Sequence, residues 1–245
     1  MRKLYLIILS TIIFSCDNNQ ENENKSEPTL LLTTWRAQLN TDKTTIPFNF
    51  ELTKKDNEFV VNFINGSEKL EVKNVTLKKD SIFIPGYIFE SEIQAKIIDS
   101  NHIKGVYKRF DTKENYEIPF EAKANFTTRF LNVEKPAKPT FNYNGKWEVT
   151  FTHQTDTTKA IGIFEQDGVL VTGTFLTATG DYRFLQGEII GNQLNLSTFD
   201  GAHAFTFNAK PVNEGKIEGK FFSGKHWEED WTALKNDNYE LPNPE

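Results

Sequence analysis

Apolar and polar residues alternate along most of the chain after residue 28, in short runs separated by turn sequences. The run KWEVTF, for example, places Trp147, Val149 and Phe151 on one face, and the runs AFTFNA and KIEGKFF repeat this alternation. A period of two is typical of strands with one buried face. Turn sequences such as INGS, EQDG and ATGD recur at intervals of about eight to twelve residues, a spacing that favours an antiparallel meander. No stretch shows helical periodicity beyond about two turns, so the pattern predicts an all-β protein.

The two halves of the chain also align with each other. Trp35 in TTWRAQL matches Trp147 in GKWEVTF, and Phe120 matches Trp231. Four further pairs share a spacing of 114 residues: Glu51 with Glu165, Gly66 with Gly180, Ala95 with Ala209, and Gly105 with Gly219. A spacing this constant indicates a tandem duplication.

The duplication predicts two tandem antiparallel meander units, the first at residues 29–132 and the second at residues 145–235. Each unit is expected to close into a small barrel or to fold into a two-sheet sandwich, because a single sheet would leave one apolar face in water. Residues 133–144 contain Pro136 and Pro139, which favour an extended spacer. Two separate barrels are the favoured arrangement, and one merged sandwich is the alternative.

The N-terminal segment at residues 1–15 resembles a bacterial lipoprotein signal peptide. Arg2 and Lys3 supply positive charge, the apolar run that follows is too short to span a bilayer comfortably, and small Ser15 precedes Cys16. Cys16 is therefore the predicted lipidation site, where acyl chains would anchor the protein by burying methylene groups. An ordinary signal peptide or a membrane anchor is the alternative.

Residues 16–28 contain almost no apolar side chain, so they cannot bury enough surface to offset chain entropy and are expected to form a disordered tether. Cys16 is the only cysteine in the sequence, and its acylation would leave no thiol for a disulfide, a redox pair or a zinc site. The expected location is the cell envelope, with the protein anchored by lipid to a bacterial membrane and facing the periplasm.

Charge and motif content exclude several classes of function. The net charge of −6 and the pI near 5.4 argue against a nucleic-acid partner, since phosphate binding needs clustered positive charge. The four histidines lack metal-ligand spacings such as H-x-H, and the sequence contains neither a G-x-S-x-G hydrolase motif nor a phosphate-binding loop. The sequence thus predicts no catalytic residue, no metal and no cofactor.

Polar residues set among aromatics in the second unit are the candidates for ligand binding. GKW resembles the G-x-W of lipocalins and related barrels, where the tryptophan closes one end, and a simple core role for Trp147 is the alternative. Closure of the meander would bring the other candidates to one rim: Asp181, Tyr182, Arg183, Asp200, His203, His226 and Trp227. Such a rim could bind a carboxylate or a peptide, with His203 as a proton shuttle. A hydrogen-bonded cluster that only holds the loops is the alternative.

The segments GKWEVTF, TGDYRFLQGEIIGNQLNL and GKFFSGKHWEEDWTALKNDNYELPNPE resemble the region ahead of the thioredoxin-like domain in TlpA-like thiol–disulfide oxidoreductases of Bacteroidetes-type bacteria. The resemblance covers nearly the whole chain and is most specific at residues 145–245. It implies that residues 236–245 are a linker toward a redox domain that is absent, lost or encoded separately. No residue of this sequence matches the W-C-x-x-C motif of that family, so no catalytic cysteine can be assigned.

The sequence therefore predicts a non-catalytic, lipid-anchored β module of the cell envelope. It would position a thioredoxin-like redox partner or bind client proteins, for example by accepting an extended strand. A lipocalin-like carrier of a small hydrophobic or anionic ligand is the main alternative. A third hypothesis is an envelope enzyme or inhibitor that uses Asp200, His203 and His226.

Overall fold

The computed structural model describes residues 29–112, 115–132 and 136–242. The predicted signal peptide, the predicted lipidation site Cys16 and the predicted tether lie outside these residues. Every regular element within the described residues is a β-strand, which confirms the all-β prediction. No helix that could cross a bilayer occurs in this part of the chain.

The first unit is a closed antiparallel barrel of eight strands, here called barrel 1. Its strands are β1 (Thr34–Asn40), β2 (Thr45–Lys55), β3 (Glu58–Asn65), β4 (Glu68–Lys78), β5 (Ser81–Pro85), β6 (Ser91–Asp99), β7 (His102–Arg109) and β8 (Tyr116–Ala124). Each strand pairs with the next along the chain, and pairing of β1 with β8 closes the barrel.

The second unit, barrel 2, is built in the same way. Its strands are β9 (Gly145–His153), β10 (Asp156–Asp167), β11 (Leu170–Thr177), β12 (Gly180–Asp181), β13 (Leu185–Ile190), β14 (Gln193–Phe199), β15 (Ala204–Asn213), β16 (Lys216–Ser223) and β17 (Trp227–Lys235). Pairing of β10 with β11 and of β17 with β9 closes the barrel, and the two-residue β12 pairs with the end of β11. The prediction of two tandem meander units is confirmed, and both are barrels.

The strand register confirms that the two barrels repeat one unit. Ala95 pairs with Gly105 across β6 and β7, and their counterparts at a spacing of 114 residues pair in the same way across β15 and β16. In barrel 1, β8 places Phe120 opposite Gly105, and in barrel 2, β17 places Trp231 opposite Gly219. The register of both hairpins shifts at the same place, between the second and the fourth residue beyond the glycine's partner.

Two of the matched pairs, Glu51 with Glu165 and Gly66 with Gly180, are wrong by two residues. Trp35 and Trp147, which lie at the starts of the two barrels, are 112 residues apart. The three two-residue turns that join β2 to β3, β3 to β4 and β4 to β5 recur in barrel 2 at this same spacing. Glu51 therefore corresponds to Ile163. The spacing becomes 114 only at the β14–β15 hairpin, where ten residues lie between the paired Leu196 and Phe207 but only eight lie between their counterparts Ile84 and Ile93.

Both barrel interiors are filled by apolar side chains. The centre of barrel 2 holds an aromatic cluster whose rings contact one another: Phe151, Phe175, Phe207, Phe221 and Trp231. Barrel 1 is filled by a mixture of aromatic and aliphatic residues that includes Trp35, Phe48, Phe50, Phe63, Tyr107 and Phe120. Inward positions are apolar on nearly every strand, as the period-two pattern requires.

The β14–β15 hairpin of barrel 2 enters the core of barrel 1. Phe199, only 1% exposed, lies with its ring centroid 4.2 Å from that of Phe48 and 5.0 Å from that of Phe63. Its backbone is held by the side-chain amide of Asn65, which donates to the Phe199 carbonyl at 2.9 Å and accepts from the Phe199 N–H at 3.2 Å. The Tyr107 hydroxyl donates to the Gly201 carbonyl at 2.9 Å. The hairpin thus closes one end of barrel 1.

Arg129, in the segment that follows β8, is a second connection between the barrels. Its guanidinium is buried and donates on the barrel 1 side to the side-chain oxygens of Asn49 at 3.3 Å and of Asn65 at 3.1 Å. On the barrel 2 side it donates to the Ser197 hydroxyl at 3.1 Å and to the Gln186 carbonyl at 3.4 Å. Because one ion serves acceptors on both barrels, the two units are packed together.

The charge of Arg129 is matched by a buried carboxylate. Glu188, which is 0% exposed, accepts the backbone N–H of Arg129 at 2.9 Å and that of Phe130 at 2.7 Å. Burial lowers the pKa of Arg129 to about 9, and the charge of Glu188 opposes this shift. The guanidinium therefore stays protonated near neutral pH.

Candidate functional site

Several of the predicted ligand-binding residues lie at the mouth of barrel 2, defined as the end at which β9 ends and β17 begins. The register places Ser223 opposite both Phe205 and Trp227, so β15, β16 and β17 reach this end together. Tyr182 follows β12 and packs against Phe205 with ring centroids 5.7 Å apart. The Tyr182 segment and the starts of β15 and β17 therefore lie at the same end of barrel 2.

Tyr182 covers the mouth of barrel 2. Its ring lies 5.4 Å from Phe221 and 5.6 Å from Phe151, centroid to centroid, and its backbone N–H donates to the Phe175 carbonyl at 2.9 Å. Burial raises the pKa of the Tyr182 hydroxyl to about 12, and the nearby negative charge of Glu229 adds to this shift. The phenol is therefore neutral at physiological pH and is not a base.

Asp200, Arg183 and His203 form a second group, the brace, at the tip of the β14–β15 hairpin. The buried Asp200 carboxylate accepts the His203 Nδ1–H at 2.9 Å and the backbone N–H groups of Ala202 and His203 at 2.9 and 2.7 Å. Arg183 Nε lies 3.5 Å from the same carboxylate, and its Nη2 donates to Glu68 of barrel 1 at 2.7 Å. These contacts fix the hairpin that closes barrel 1.

The hydrogen bonds of the brace determine the protonation of Asp200. Burial alone would raise the pKa of its carboxyl, but the hydrogen bond from His203 and those from the backbone N–H groups of Ala202 and His203 outweigh burial, so the pKa lies below its ordinary value. The hydrogen-bond donors of this carboxylate all lie in its own loop, and its further ion pair joins the loop to Arg183, so its contacts are structural. This geometry matches the interpretation that these polar residues hold loops.

Trp227 and His153 form an exposed stacked pair at the rim. The indole is 46% exposed, and its ring centroid lies 4.2 Å from that of His153, with an angle of 16° between the planes. The His153 Nδ1–H donates to the Glu228 carbonyl at 3.0 Å, and the Trp227 Nε1–H donates to the Glu229 carboxylate at 2.9 Å. Both rings are thereby held in place.

The stacked pair borders a concavity of about 290 Å³, here called the rim groove. Its lining comes from the ends of β9 and β16, the start of β17 and one loop of barrel 1, and includes Lys43, Thr152, His153, Lys220, Trp227 and Glu229. His226 also lines it and is exposed to solvent. A second concavity of about 400 Å³ lies between the barrels, where Gly66 and Ser67 face Ile163, Thr174 and Phe184.

Trp147 and Asp181 lie away from the rim groove. Trp147 is fully buried at the opposite end of barrel 2, and its indole N–H donates to the Tyr143 carbonyl at 2.8 Å. Trp35 makes the same bond to the Leu31 carbonyl in barrel 1, at 3.0 Å. Trp147 is thus placed as a core residue that closes one end of its barrel. Asp181 is exposed and accepts the backbone N–H of Arg183 at 2.8 Å.

Sequence reasoning did not single out His153 and Glu229, which hold the Trp227 ring at the rim groove. His153 lies two positions after Phe151, so the alternation along β9 could have placed it at the rim on the inward side. Glu229 has the same parity as Trp227 and Trp231 on β17. No group of three or more histidine, cysteine or acidic side chains in the described part of the chain is arranged to hold a metal.

No family model matches the sequence, and no curated protein matches it. The crystal structure of a protein of unknown function from the DUF3598 family of Nostoc punctiforme is 10% identical, with coverage of 82% of this chain and 94% of that chain and a TM-score of 0.28. The hemagglutinin of Myxococcus xanthus, solved in complex with α3,α6-mannopentaose, is 9% identical, with coverage of 82% and 88% and a TM-score of 0.21.

Proposed function

We propose that the protein is a non-catalytic, lipid-anchored module of the cell envelope that binds a partner protein on its outer surface. The partner would be a thioredoxin-like redox protein or a client of one. The observation that carries this proposal is that side chains of the protein fill both barrels. A rigid body with a filled interior can position another molecule but has little room to enclose one.

The packing at the centre of barrel 2 supports surface binding over the carrier alternative. A carrier needs an internal cavity of at least about 300 Å³ lined by apolar side chains. The rings of Phe175 and Phe207 lie there with centroids 4.8 Å apart, and Phe221 stacks on Phe207 at 4.5 Å. Tyr182 closes the mouth above them. The outward-facing rim groove is the better place for a ligand.

The start of the described chain supports positioning near a membrane. The Leu31 N–H donates to the Ser100 carbonyl at 2.9 Å, and Leu30 is buried, so the chain is fixed to barrel 1 from this point. Between the proposed lipidation site Cys16 and Thr29 the chain can span at most about 45 Å when fully extended. An acyl anchor at Cys16 would therefore keep the start of barrel 1 within about 45 Å of the bilayer.

The proposal is tested by expressing the full chain in a Gram-negative host with radiolabelled palmitate. We expect label on the protein and recovery in the membrane fraction. Cys16→Ala should lose the label and move to the soluble fraction, whereas the matched tether variant Ser26→Ala should behave as wild type. An unlabelled, soluble wild-type chain contradicts the anchoring.

The non-catalytic part of the proposal needs a separate assay. The purified protein should not accelerate insulin reduction by dithiothreitol when no thioredoxin is added. Turnover by the protein alone would contradict the proposal, because no thiol pair exists in the sequence to carry it.

A further inference from the structure

We infer that the rim groove is a binding site for a positively charged, planar group, the guanidinium of an arginine side chain on the partner protein. The inference rests on the proposed function, because it specifies the chemistry of the partner that the module binds. Three features of the groove carry it: an exposed and fixed indole, a carboxylate beside the indole, and the pairing of the neighbouring charges.

The indole of Trp227 provides a fixed aromatic surface. His153 covers one face of the ring and is itself held by the Glu228 carbonyl, so the other face is the one available to a ligand. The hydrogen bond from Trp227 Nε1 to Glu229 removes rotational freedom from the side chain. Because less side-chain entropy is lost on binding, a fixed ring binds a flat cation better than a mobile one.

The carboxylate of Glu229 provides the charge. One oxygen accepts the indole N–H at 2.9 Å, which leaves the second oxygen for a donor that lies against the ring. Among the described residues Glu229 has no salt bridge, although it raises the pKa of the Tyr182 hydroxyl and so acts as a negative charge at the mouth. A guanidinium can stack on the indole and donate to this oxygen at once, because its donors lie in the plane of the ion.

The other charges of the groove are already paired. Lys43 of barrel 1 lies 3.0 Å from Glu228, and Lys220 lies 2.8 Å from Asp230, nitrogen to oxygen. These pairs leave the charge of Glu229 without compensation, so an anionic ligand would be repelled from the indole. A neutral saccharide could stack on Trp227 but would gain nothing from the charge of Glu229.

Trp227 also supplies a direct reporter of binding. Of the four tryptophans, Trp35, Trp147 and Trp231 are buried, and their indole N–H groups donate to backbone carbonyls. In the ¹⁵N-labelled full chain, the indole N–H resonance of Trp227 can be assigned with Trp227→Phe. The titrants are N-acetyl-arginine amide, the neutral isostere N-acetyl-citrulline amide, and methyl glucoside.

We expect the arginine compound to shift the Trp227 resonance saturably while the three buried indoles stay unchanged. The citrulline compound should bind about fivefold more weakly, as expected for the loss of an exposed cation–π contact and an exposed ion pair. Glu229→Gln should weaken arginine binding about threefold. Glu214→Gln, a control in the exposed β15–β16 turn, should leave it unchanged.

Three results would overturn the inference: no shift of Trp227 with arginine, an equal response to citrulline, or a response to methyl glucoside alone. Each would leave the proposed function standing, since lipid labelling and membrane fractionation do not depend on this groove. Conversely, specific arginine binding by a chain that carries no lipid would keep the site and remove the envelope function.

Discussion

Barrels 1 and 2 share one frame but are closed at the same end by different means. In barrel 2 the ring of Tyr182 covers Phe175 and Phe221, with centroids 6.1 and 5.4 Å away. The counterparts of these two residues in barrel 1 are Phe63 and Tyr107, and there the covering ring is Phe199, at 5.0 and 5.4 Å. Barrel 2 is thus closed by its own loop, whereas barrel 1 is closed by a hairpin from barrel 2.

This difference shows how a duplication can produce one body from two. The β14–β15 hairpin is two residues longer than its counterpart in barrel 1, and this longer hairpin carries Phe199 and Gly201 into the neighbouring barrel. Within the described ranges, no hairpin of barrel 1 covers barrel 2 in the same way, so the mouth of barrel 2 remains at the surface with an exposed Trp227 beside it. One copy therefore provides the connection and also keeps a rim for binding.

The largest loss of stability is expected when the Arg129 guanidinium between the two barrels is removed. Arg129→Ala should destabilise the protein by about 3–5 kcal/mol, because the buried oxygens that accept from its guanidinium would lose their donor and buried Glu188 would lose the nearby positive charge. Urea unfolding monitored by tryptophan fluorescence measures the loss. Lys123→Ala, which changes an exposed side chain on β8, is the control. A loss below about 1 kcal/mol, the size of a surface ion pair, would contradict the role of Arg129.

Truncating the two covering rings compares the two closures directly. Phe199→Ala should cost about 3–5 kcal/mol, since a fully buried ring leaves a cavity that neither barrel can fill. Tyr182→Ala should cost less, about 1–3 kcal/mol, because its ring is only partly buried and water can take its place. Both values come from the same unfolding assay. Equal costs would mean that Phe199 is not buried between two cores.

Matched glycines test whether the barrels are true repeats. A Cβ at Gly105 would lie 1.9 Å from the Gln94 carbonyl oxygen, and a Cβ at Gly219 would lie 1.7 Å from that of Asn208. Alanine at either position must push two strands apart, so each substitution should cost about 2–3 kcal/mol. Thermal unfolding of the two variants should give similar shifts in Tm. A neutral result at one position alone would contradict the repeat.

The brace makes the hairpin sensitive to acid. The folded-state pKa of Asp200 lies below its unfolded value of about 3.9, so its contribution to stability is present above that pH and is lost as the pH falls through the folded pKa. Asp200→Asn should cost about 1–2 kcal/mol at pH 7. Its difference from wild type should shrink as the pH falls below about 3.9, because Asp200 of the unfolded chain then binds a proton more readily than Asp200 of the folded protein. A difference that stays constant between pH 7 and pH 3 would contradict the ionic role of Asp200.

The smallest expected effect belongs to His226. This side chain is exposed and lies outside the Asp200–His203 group, so His226→Ala should change stability by less than about 0.5 kcal/mol. The same variant should leave the brace intact, which the pH dependence of unfolding would show. A larger loss would mean that the three predicted segments form one cluster.

The sequence was sufficient to predict the two strand meanders but not the contacts that join the two barrels. Alternation along the strands predicted the inward rows, and the pairs around Gly105 and Gly219 gave the correct repeat for the last three strands of each barrel. The position of Phe199 could not be read in this way, because on β14 it looks like any core residue of barrel 2. Arg129 gave no signal either, since a single cation in a loop has no periodicity. The positions of Phe199 and Arg129 both depend on contacts between segments that are distant in the sequence.

The central claim is that the two barrels form one cooperative body, and differential scanning calorimetry of the full chain tests it most directly. Coupling through Phe199 and Arg129 predicts a single transition whose calorimetric and van't Hoff enthalpies agree. Two resolved transitions, each with the enthalpy of one barrel, would contradict it.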